Sequence, residues 1–548
     1  MTENTSGASA VLDSAHAGDI EGAFGTIRQG DVAPRNRTSM RLKTLLAVIG
    51  PGVIVMVGDN DAGAFGTYTQ AGQNYGTTML WTLLLLVPVI YVNQEMVLRL
   101  GAVTGVGHAR LILERYGKFW GAFSVIDLFL LNALTIVTEF IGISLGLSYL
   151  GLPKVPGVLA AVVLVIASVS TGSFRRFERV SMVLVAGSLT LIPIFLAVHP
   201  PMGQVVHDFV VPGMPAGSQL STVMLLIIAI VGTTVAPWQL FFQQSYLIDK
   251  RITPRFIRYE RVDLWIGIVI VVVGAGAMMA FSAAAFAGTP AQGNFTDALG
   301  ISQGLAAAAG RWAGILFAIA LIDASIIGAA AVGLSTSYAL GDVLGLRHSL
   351  HRRPSEAKGF YAVFAGLLVL SAVIVLIPGS PLGLLTEGVQ TLAGVLLPSA
   401  TVFLLLLCND KAVLGPWVNG RGKNIFSSAI IAVLVMLSTV LTASVLFPEI
   451  NSAQIIGIFI AGALLAIIAA TYLAVAAYRH KRKGSTRTRQ PVIQPQADRA
   501  TWRMPPVAML SKPVMSAGTK TGLTVLRGYL LVASALVVIK VVQLALGA

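Results

Sequence analysis

Long apolar runs separated by short polar gaps occupy this chain from residue 44 to residue 477. Twelve runs are distinguished: 44–70, 78–98, 121–149, 156–171, 180–198, 219–247, 263–287, 312–340, 360–378, 387–408, 426–447 and 452–477. Runs of about 18 or more apolar residues predict helices that cross a bilayer. A thirteenth run, 522–546, follows a basic, proline-containing linker over 478–521 and carries Arg527 and Lys540. It reads as a further span, with an amphipathic surface helix as its alternative. Residues 1–43 are polar and lack the apolar core of a signal peptide, which predicts a disordered cytoplasmic tail.

Two of these runs are interrupted. The first carries Gly58-Asp59-Asn60-Asp61-Ala62-Gly63-Ala64 after Gly50-Pro51-Gly52. An aspartate at a helix centre costs about 2.5–3.5 kcal/mol even on the lower insertion scales, and the glycines allow the helix to break. A break frees backbone carbonyls, and carbonyls beside a carboxylate suit a hard cation. The bland alternative is that Asp59 and Asp61 merely cap two half-helices. The sixth run carries Val235-Ala236-Pro237-Trp238-Gln239, where Pro237 withholds an amide and opposes the preceding turn. Interrupted helices five apart, in corresponding places, point to an inverted-repeat transporter with its site between the breaks. The expected organisation is repeat 1 over 44–198, repeat 2 over 219–408, and helices 11–12 over 426–477.

Charge sets the orientation. Basic residues collect in alternate gaps: Arg99, Arg110, Arg115 and Lys118; Arg175, Arg176 and Arg179; Lys250, Arg251, Arg255, Arg258 and Arg261; Arg347, Arg352, Arg353 and Lys358; Lys411, Arg421 and Lys423. The opposite gaps hold Lys154 and Arg311 and almost nothing else basic. This pattern predicts a cytoplasmic N-terminus in a multi-pass protein of the plasma membrane. It also accounts for the net charge of +14 without nucleic acid as a partner. At 55% hydrophobic and 11% charged residues the chain is polytopic, not a soluble enzyme. The single cysteine, Cys408, excludes an intrachain disulfide. Neither a phosphate loop nor a nucleophile–base pair is visible, so no enzymatic activity and no cofactor are expected.

The stretches GPGVIVMVGDNDAGAFGTYTQAG and GTTVAPWQLFFQQS, with LRLGAVTGVGHARLILERYG, TEFIGIS and LLCNDKAVLG, resemble the Nramp divalent-metal transporters over roughly residues 45–477. The resemblance implies an all-α LeuT-like fold with two inverted five-helix repeats and additional C-terminal helices. It implies alternating access around one central site, in a chain working as a monomer in the lipid bilayer. Matched residue by residue, the metal-binding aspartate of the family corresponds to Asp61 and the tenth-helix glutamine to Gln390. The family's asparagine corresponds to Ala64, its methionine to Ala236, and its two histidines to Trp238 and Gln243. The glutamate on the family's proton route corresponds to Glu139, which reads equally well as a helix–helix hydrogen bonder.

These departures bear on the cargo. A thioether favours Mn²⁺, Fe²⁺ or Cd²⁺ over Mg²⁺, and Ala236 leaves only a main-chain carbonyl. Mg²⁺ keeps several waters and binds through one or two carboxylates. A roomy oxygen site of Asp61, Asp59, the Ala236 carbonyl and an amide from Gln390 or Gln239 suits it. The expectation is therefore a Mg²⁺-favouring importer that also admits Mn²⁺, resembling the magnesium-transporting branch of the family. Loss of both histidines removes the side chain best placed to titrate near neutrality. Uptake would then be driven by membrane potential, worth about 4.6 kcal/mol per 100 mV for a divalent ion. The alternatives are an ordinary proton-coupled Mn²⁺/Fe²⁺ importer and, from another class, a Na⁺-coupled carrier of an organic solute.

Overall fold

Glycine and proline divide the first apolar run into three helices, α1 (Thr38–Val48), α2 (Pro51–Gly58) and α3 (Ala62–Tyr75). Gly50 sits at φ 149°, in backbone space that favours glycine, and Pro51 opens α2, where its missing N–H is harmless. The axes of α1 and α2 bend by 47° at this joint. The structure, a computed structural model, describes residues 14–215, 217–378, 382–446, 450–482, 499–511, 513, 520–528, 531–532 and 535.

The chain continues through α4 (Leu80–Thr104), α5 (His108–Tyr116), α6 (Lys118–Tyr149) and α7 (Lys154–Val169). A 3₁₀ turn then joins α8 (Phe174–Gly187) to α9 (Leu191–Val198), and α10 (Met202–Val210) follows. The second interrupted run gives α11 (Leu220–Thr234) and α12 (Pro237–Asp249). Beyond it lie α13 (Ile257–Phe286), α14 (Ala298–Ala309), α15 (Arg311–Leu344), α16 (Lys358–Leu376) and α17 (Leu382–Asn409). The short α18 (Lys411–Leu414) precedes α19 (Arg421–Leu446) and α20 (Ser452–Arg482).

All twelve expected runs carry helices. Among the described residues, nine are long and apolar enough to cross a membrane, or ten if the bent α1–α2 pair is one span. Part of the difference from twelve is physical. α7 has 16 residues, which is about 24 Å at 1.5 Å per residue and short of a hydrocarbon core of about 30 Å. α20, with 31 residues, is long enough to cross, but only its Ser452–Leu465 part counts among the described residues. Leu159, Val163, Val183, Leu370 and Val433 lie exposed on the outer helices, a surface suited to lipid tails. The core lies inward of them, where α6 packs on α15 and α13 packs on both α2 and α3.

The segment read as a disordered tail and the one read as a basic linker both make specific contacts. Within 1–43, read as a disordered tail, β1 (Ile20–Gly22) and β2 (Gly25–Ile27) pair as an antiparallel hairpin with Ile20 opposite Ile27. Both isoleucines are buried, and the hairpin packs on α1 and α8. Within the linker 478–521, α20 runs on to Arg482 and residues 499–511 dock near the end of α4. There Met504 N donates to Val103 O at 3.2 Å, and Arg503 Nη1 to Ala102 O at 2.9 Å. Residues 520–528 are helical, but most of the expected span 522–546 lies outside the described residues.

Candidate functional site

The two interrupted helices cross at their breaks. α2 packs against α12 on the face that carries the N-terminal segment, and α3 packs against α11 on the opposite face. The break in the first is Asp59-Asn60-Asp61, and in the second Val235-Ala236. Two helix N-termini, at Ala62 and Pro237, thus meet two C-termini, at Gly58 and Thr234. The N-termini favour carboxylates, and the C-terminal carbonyls favour a cation. Tyr68 Oη and Thr234 Oγ1, 2.7 Å apart, tie α3 to α11 just beyond the break.

Asp61 is the N-cap of α3, and its Oδ1 accepts from Ala64 N at 2.9 Å. The capping role weighed for it is therefore real, and the second oxygen remains for other partners. Glu139, on α6, adjoins the Asp61 carboxyl, and its Oε2 accepts from Ala62 N at 3.2 Å. Two small residues make room for it. A Cβ at Gly328 would lie 2.8 Å from the Glu139 carboxyl carbon, and one at Gly142 would press on Ala62. Glu139 thus lies beside Asp61 and also makes the helix–helix hydrogen bond that was its alternative reading.

Asp59, the C-cap of α2, receives a hydrogen bond on Oδ1 from Gln239 Nε2, while its Oδ2 has no partner. Gln239 Oε1 in turn accepts from Gln94 Nε2 on α4 at 2.7 Å. Asp59, Asp61 and Glu139 are 0%, 3% and 0% exposed. Three carboxyls brought together at such burial cost several kcal/mol per charge unless cations or protons neutralise them. Gln390, on α17, closes the group from the side: its Nε2 abuts Gly63 and has no partner.

The remaining expected residues fall around this group. Ala236 is the N-cap of α12, and its carbonyl accepts from Gln239 N at 3.2 Å, leaving one lone pair. Ala64 contributes its amide to Asp61 and only a methyl group otherwise. The Trp238 ring edge lies 3.7 Å from where a Cβ on Gly58 would sit, so the indole fills the space beneath the break. Gln243 is fully buried, and both its amide atoms lack partners. Among the described residues, no three His, Cys, Asp or Glu side chains are placed to hold a metal ion together. A cation here would rely on one or two carboxylates with amide and main-chain oxygens.

A narrow cleft on the face away from the N-terminal segment reaches down to Ala62. Gly66, Gln70, Thr138, Gly142 and Asp297 are among its lining residues. Towards the other face, Trp238, Phe242 and Tyr246 follow at four-residue spacing along α12, with ring centroids 6.2 and 5.1 Å apart. The cleft thus lies on the Ala62 side of the break, and stacked aromatic rings fill the space on the Trp238 side. Gln94 and Tyr68 were not singled out in the sequence. A tyrosine in the second half-helix and a glutamine inside an apolar run were the available signals.

Residues 52–444 match the profile of the Nramp family, described as natural resistance-associated macrophage protein-like. The chain is 27% identical over 422 residues to the divalent metal cation transporter MntH of Levilactobacillus brevis, covering 74% of this chain and 90% of that protein. It is 28% identical over 410 residues to the MntH of Ralstonia nicotianae, covering 72% and 89%. Among solved structures it resembles a histidine-to-alanine variant of the manganese transporter of Eremococcus coleocola. That match has a TM-score of 0.63 and 19% identity over 84% of this chain and 98% of the other. With the profile spanning well over half the chain and the broken helices crossing as a LeuT-like fold requires, this multi-pass membrane protein belongs to the Nramp family.

Proposed function

We propose that the chain is a secondary transporter of divalent metal cations, working by alternating access around the crossed breaks. The observation that carries this reading is the buried group of Asp59, Asp61 and Glu139. It has an unpartnered oxygen on Asp59 and a Gln390 amide whose oxygen faces the group once the amide is flipped, and it lies at the foot of a narrow cleft. Asp61 and Asp59 are the carboxylate ligands in this reading, joined by the Ala236 carbonyl and the Gln390 or Gln239 amide. Glu139 holds or passes a proton beside them. The alternation of basic gaps supports a cytoplasmic N-terminal face in the plasma membrane, and hence import through the cleft. The repeats 44–198 and 219–408 supply the moving and fixed parts of a monomeric carrier.

The curated relatives are divalent metal cation transporters, and the solved neighbour is a manganese transporter. They support Mn²⁺ as the cargo over the Mg²⁺ preference expected from the sequence. The donor set supports a narrower second reading, that Mg²⁺ shares the site with Mn²⁺. No thioether stands at Ala236 and no imidazole at Trp238 or Gln243, so every available donor is a hard oxygen.

Uptake of Mn²⁺ into proteoliposomes, with Mg²⁺ as competitor and internal pH followed in parallel, tests both readings. Saturable Mn²⁺ influx is expected, inhibited by millimolar Mg²⁺. Influx untouched by excess Mg²⁺ removes the shared site, and no metal influx, with an organic solute accumulated on Na⁺ instead, removes the metal reading altogether.

A further inference from the structure

The joint between α1 and α2 is held by buried polar groups that the ion site does not use. Lys250, at the end of α12, is fully buried, and an ammonium has three protons to donate. All three find acceptors: Val48 O at 2.6 Å, Ile49 O at 2.9 Å and Glu178 Oε1 at 2.6 Å. The first two are carbonyls at the end of α1, immediately before the 47° bend. On the other side of the bend, Asp263 of α13 caps α2, accepting from Gly50 N, Gly52 N and Val53 N at 3.1, 2.5 and 3.3 Å. A Cβ at Gly50 would overlap the Glu178 carboxylate, so glycine is required there for space as well as for φ.

The N-terminal hairpin sits directly on this joint. Glu178 Oε2 accepts from Ala23 N, at the hairpin turn, at 2.5 Å. Arg179 Nε donates to Ala23 O at 3.1 Å, and Arg175 to Thr26 Oγ1. Arg251 donates to Ala15 O at 3.0 and 2.8 Å and to Asp19 O at 3.0 Å. Arg255 donates to Asp31 O and, at 2.6 Å, to Ala33 O. Arginines that read in the sequence as loop charges therefore bind the segment, three of them through its main-chain carbonyls.

We propose that residues 14–35, seated on α1 and Glu178 above the Lys250 and Asp263 contacts, form a latch that keeps the α1–α2 joint, and with it the N-terminal side of the ion path, closed between transport events. The inference rests on the transport reading. α2 carries Asp59 at its far end, bound to Gln239 of α12, so a path from the site to this face requires α2 and α12 to part. Lys250 is on α12 and holds α1, while Glu178 and Asp263 hold the joint from α8 and α13. Parting α2 from α12 thus breaks the Lys250 contacts, and the same Glu178 that accepts from Lys250 accepts from the hairpin. Lys250, Glu178 and Asp263 are positioning residues: they touch no cargo.

The test uses the full chain with Cys408→Ser and Ala331→Cys. Ala331 is 1% exposed and faces Gly58 at the level of the break, so removal of the segment alone does not uncover it. A membrane-impermeant thiol reagent is applied from the N-terminal face. Removal of residues 1–35, and separately Lys250→Met, should raise the labelling rate tenfold or more. Both should also raise the KM for external Mn²⁺ without lowering the maximal rate, because fewer molecules face outward. A purely structural role would lower the maximal rate and leave KM and labelling alone. If Lys250→Met does not fold, the truncation decides. Unchanged labelling and unchanged KM in the monodisperse truncated protein overturn the latch. A parent protein that takes up no metal overturns the proposed function instead, so the two fail separately.

Discussion

Gly63→Ala isolates the contribution of Gln390 without touching a polar group. A Cβ at residue 63 would overlap Gln390 Nε2 and Cδ and would lie 3.2 Å from Asp61 Oδ1. The amide end of a glutamine is free to swing, so the expected result is expulsion of Gln390 from the group rather than failure to fold. Helix α3 itself gains up to about 1 kcal/mol from alanine over glycine. The Asp61–Ala64 cap runs from Ala64 N to Asp61 Oδ1 and does not use residue 63, so it is retained. What is lost is one amide dipole on a bound cation. Interactions of that kind with a charged partner are worth about 1.5–3 kcal/mol. The KM for Mn²⁺ should therefore rise about 10- to 100-fold at unchanged or slightly raised thermal stability. Gln390→Ala should give the same loss, and the double variant no more than either single one, since both remove the same contact. Uptake into proteoliposomes and calorimetric Mn²⁺ binding read this out. Additive losses, or wild-type KM in Gly63→Ala, would refute the placement of Gln390 at the site.

Three further substitutions probe neighbouring claims. Asp61→Ala should abolish uptake while leaving a monodisperse, detergent-stable protein, and measurable saturable uptake by it would remove Asp61 as the principal ligand. Ala236→Met restores a thioether at the α12 N-cap and should shift competition towards Mn²⁺ and Cd²⁺ over Mg²⁺. An unchanged ranking in competitive uptake would show that this position does not set selectivity. Tyr68→Phe removes the hydroxyl shared with Thr234 and should lower stability by about 1 kcal/mol, read as a fall in melting temperature, with KM little altered.

The spans and both breaks were legible because each depends on local chemistry: apolar length, a proline without an N–H, and glycines flanking carboxylates. Asp59 and Asp61 fall where the break was expected, and Pro237 opens the second half-helix as its missing amide requires. The contacts across helices were not legible. Glu139 reads alone as either a ligand neighbour or a packing acid. Only Gly142 and Gly328, from two different helices, admit it to Ala62 and Asp61. Likewise Gln94 is one amide in an apolar run until α4 brings it to Gln239. His108 reads as a loop histidine but opens α5, where burial pushes its imidazole down to about 4 and leaves it neutral against Gln244.

The N-terminal segment shows why composition misleads at such places. Residues 14–35 have no sustained hydrophobic period, and a segment that cannot bury its own apolar surface is expected to remain disordered. It is ordered from outside. Its carbonyls meet arginines more than 150 positions away in sequence, and its two isoleucines reach an apolar surface made by α1 and α8. Asp59 and Asp61, which the sequence presents as near equals, are also told apart by their contacts. Asp61 is fixed by its own helix through Ala64 N, so its position survives movement of α2. Asp59 ends the half-helix that the latch restrains and is bound to Gln239 of the partner half-helix. A cation drawing on the free Oδ2 of Asp59 therefore competes for the residue that joins α2 to α12. Occupancy of the site and closure of the N-terminal face then share one carboxylate, which gives Asp59 a role that a ligand fixed like Asp61 cannot have.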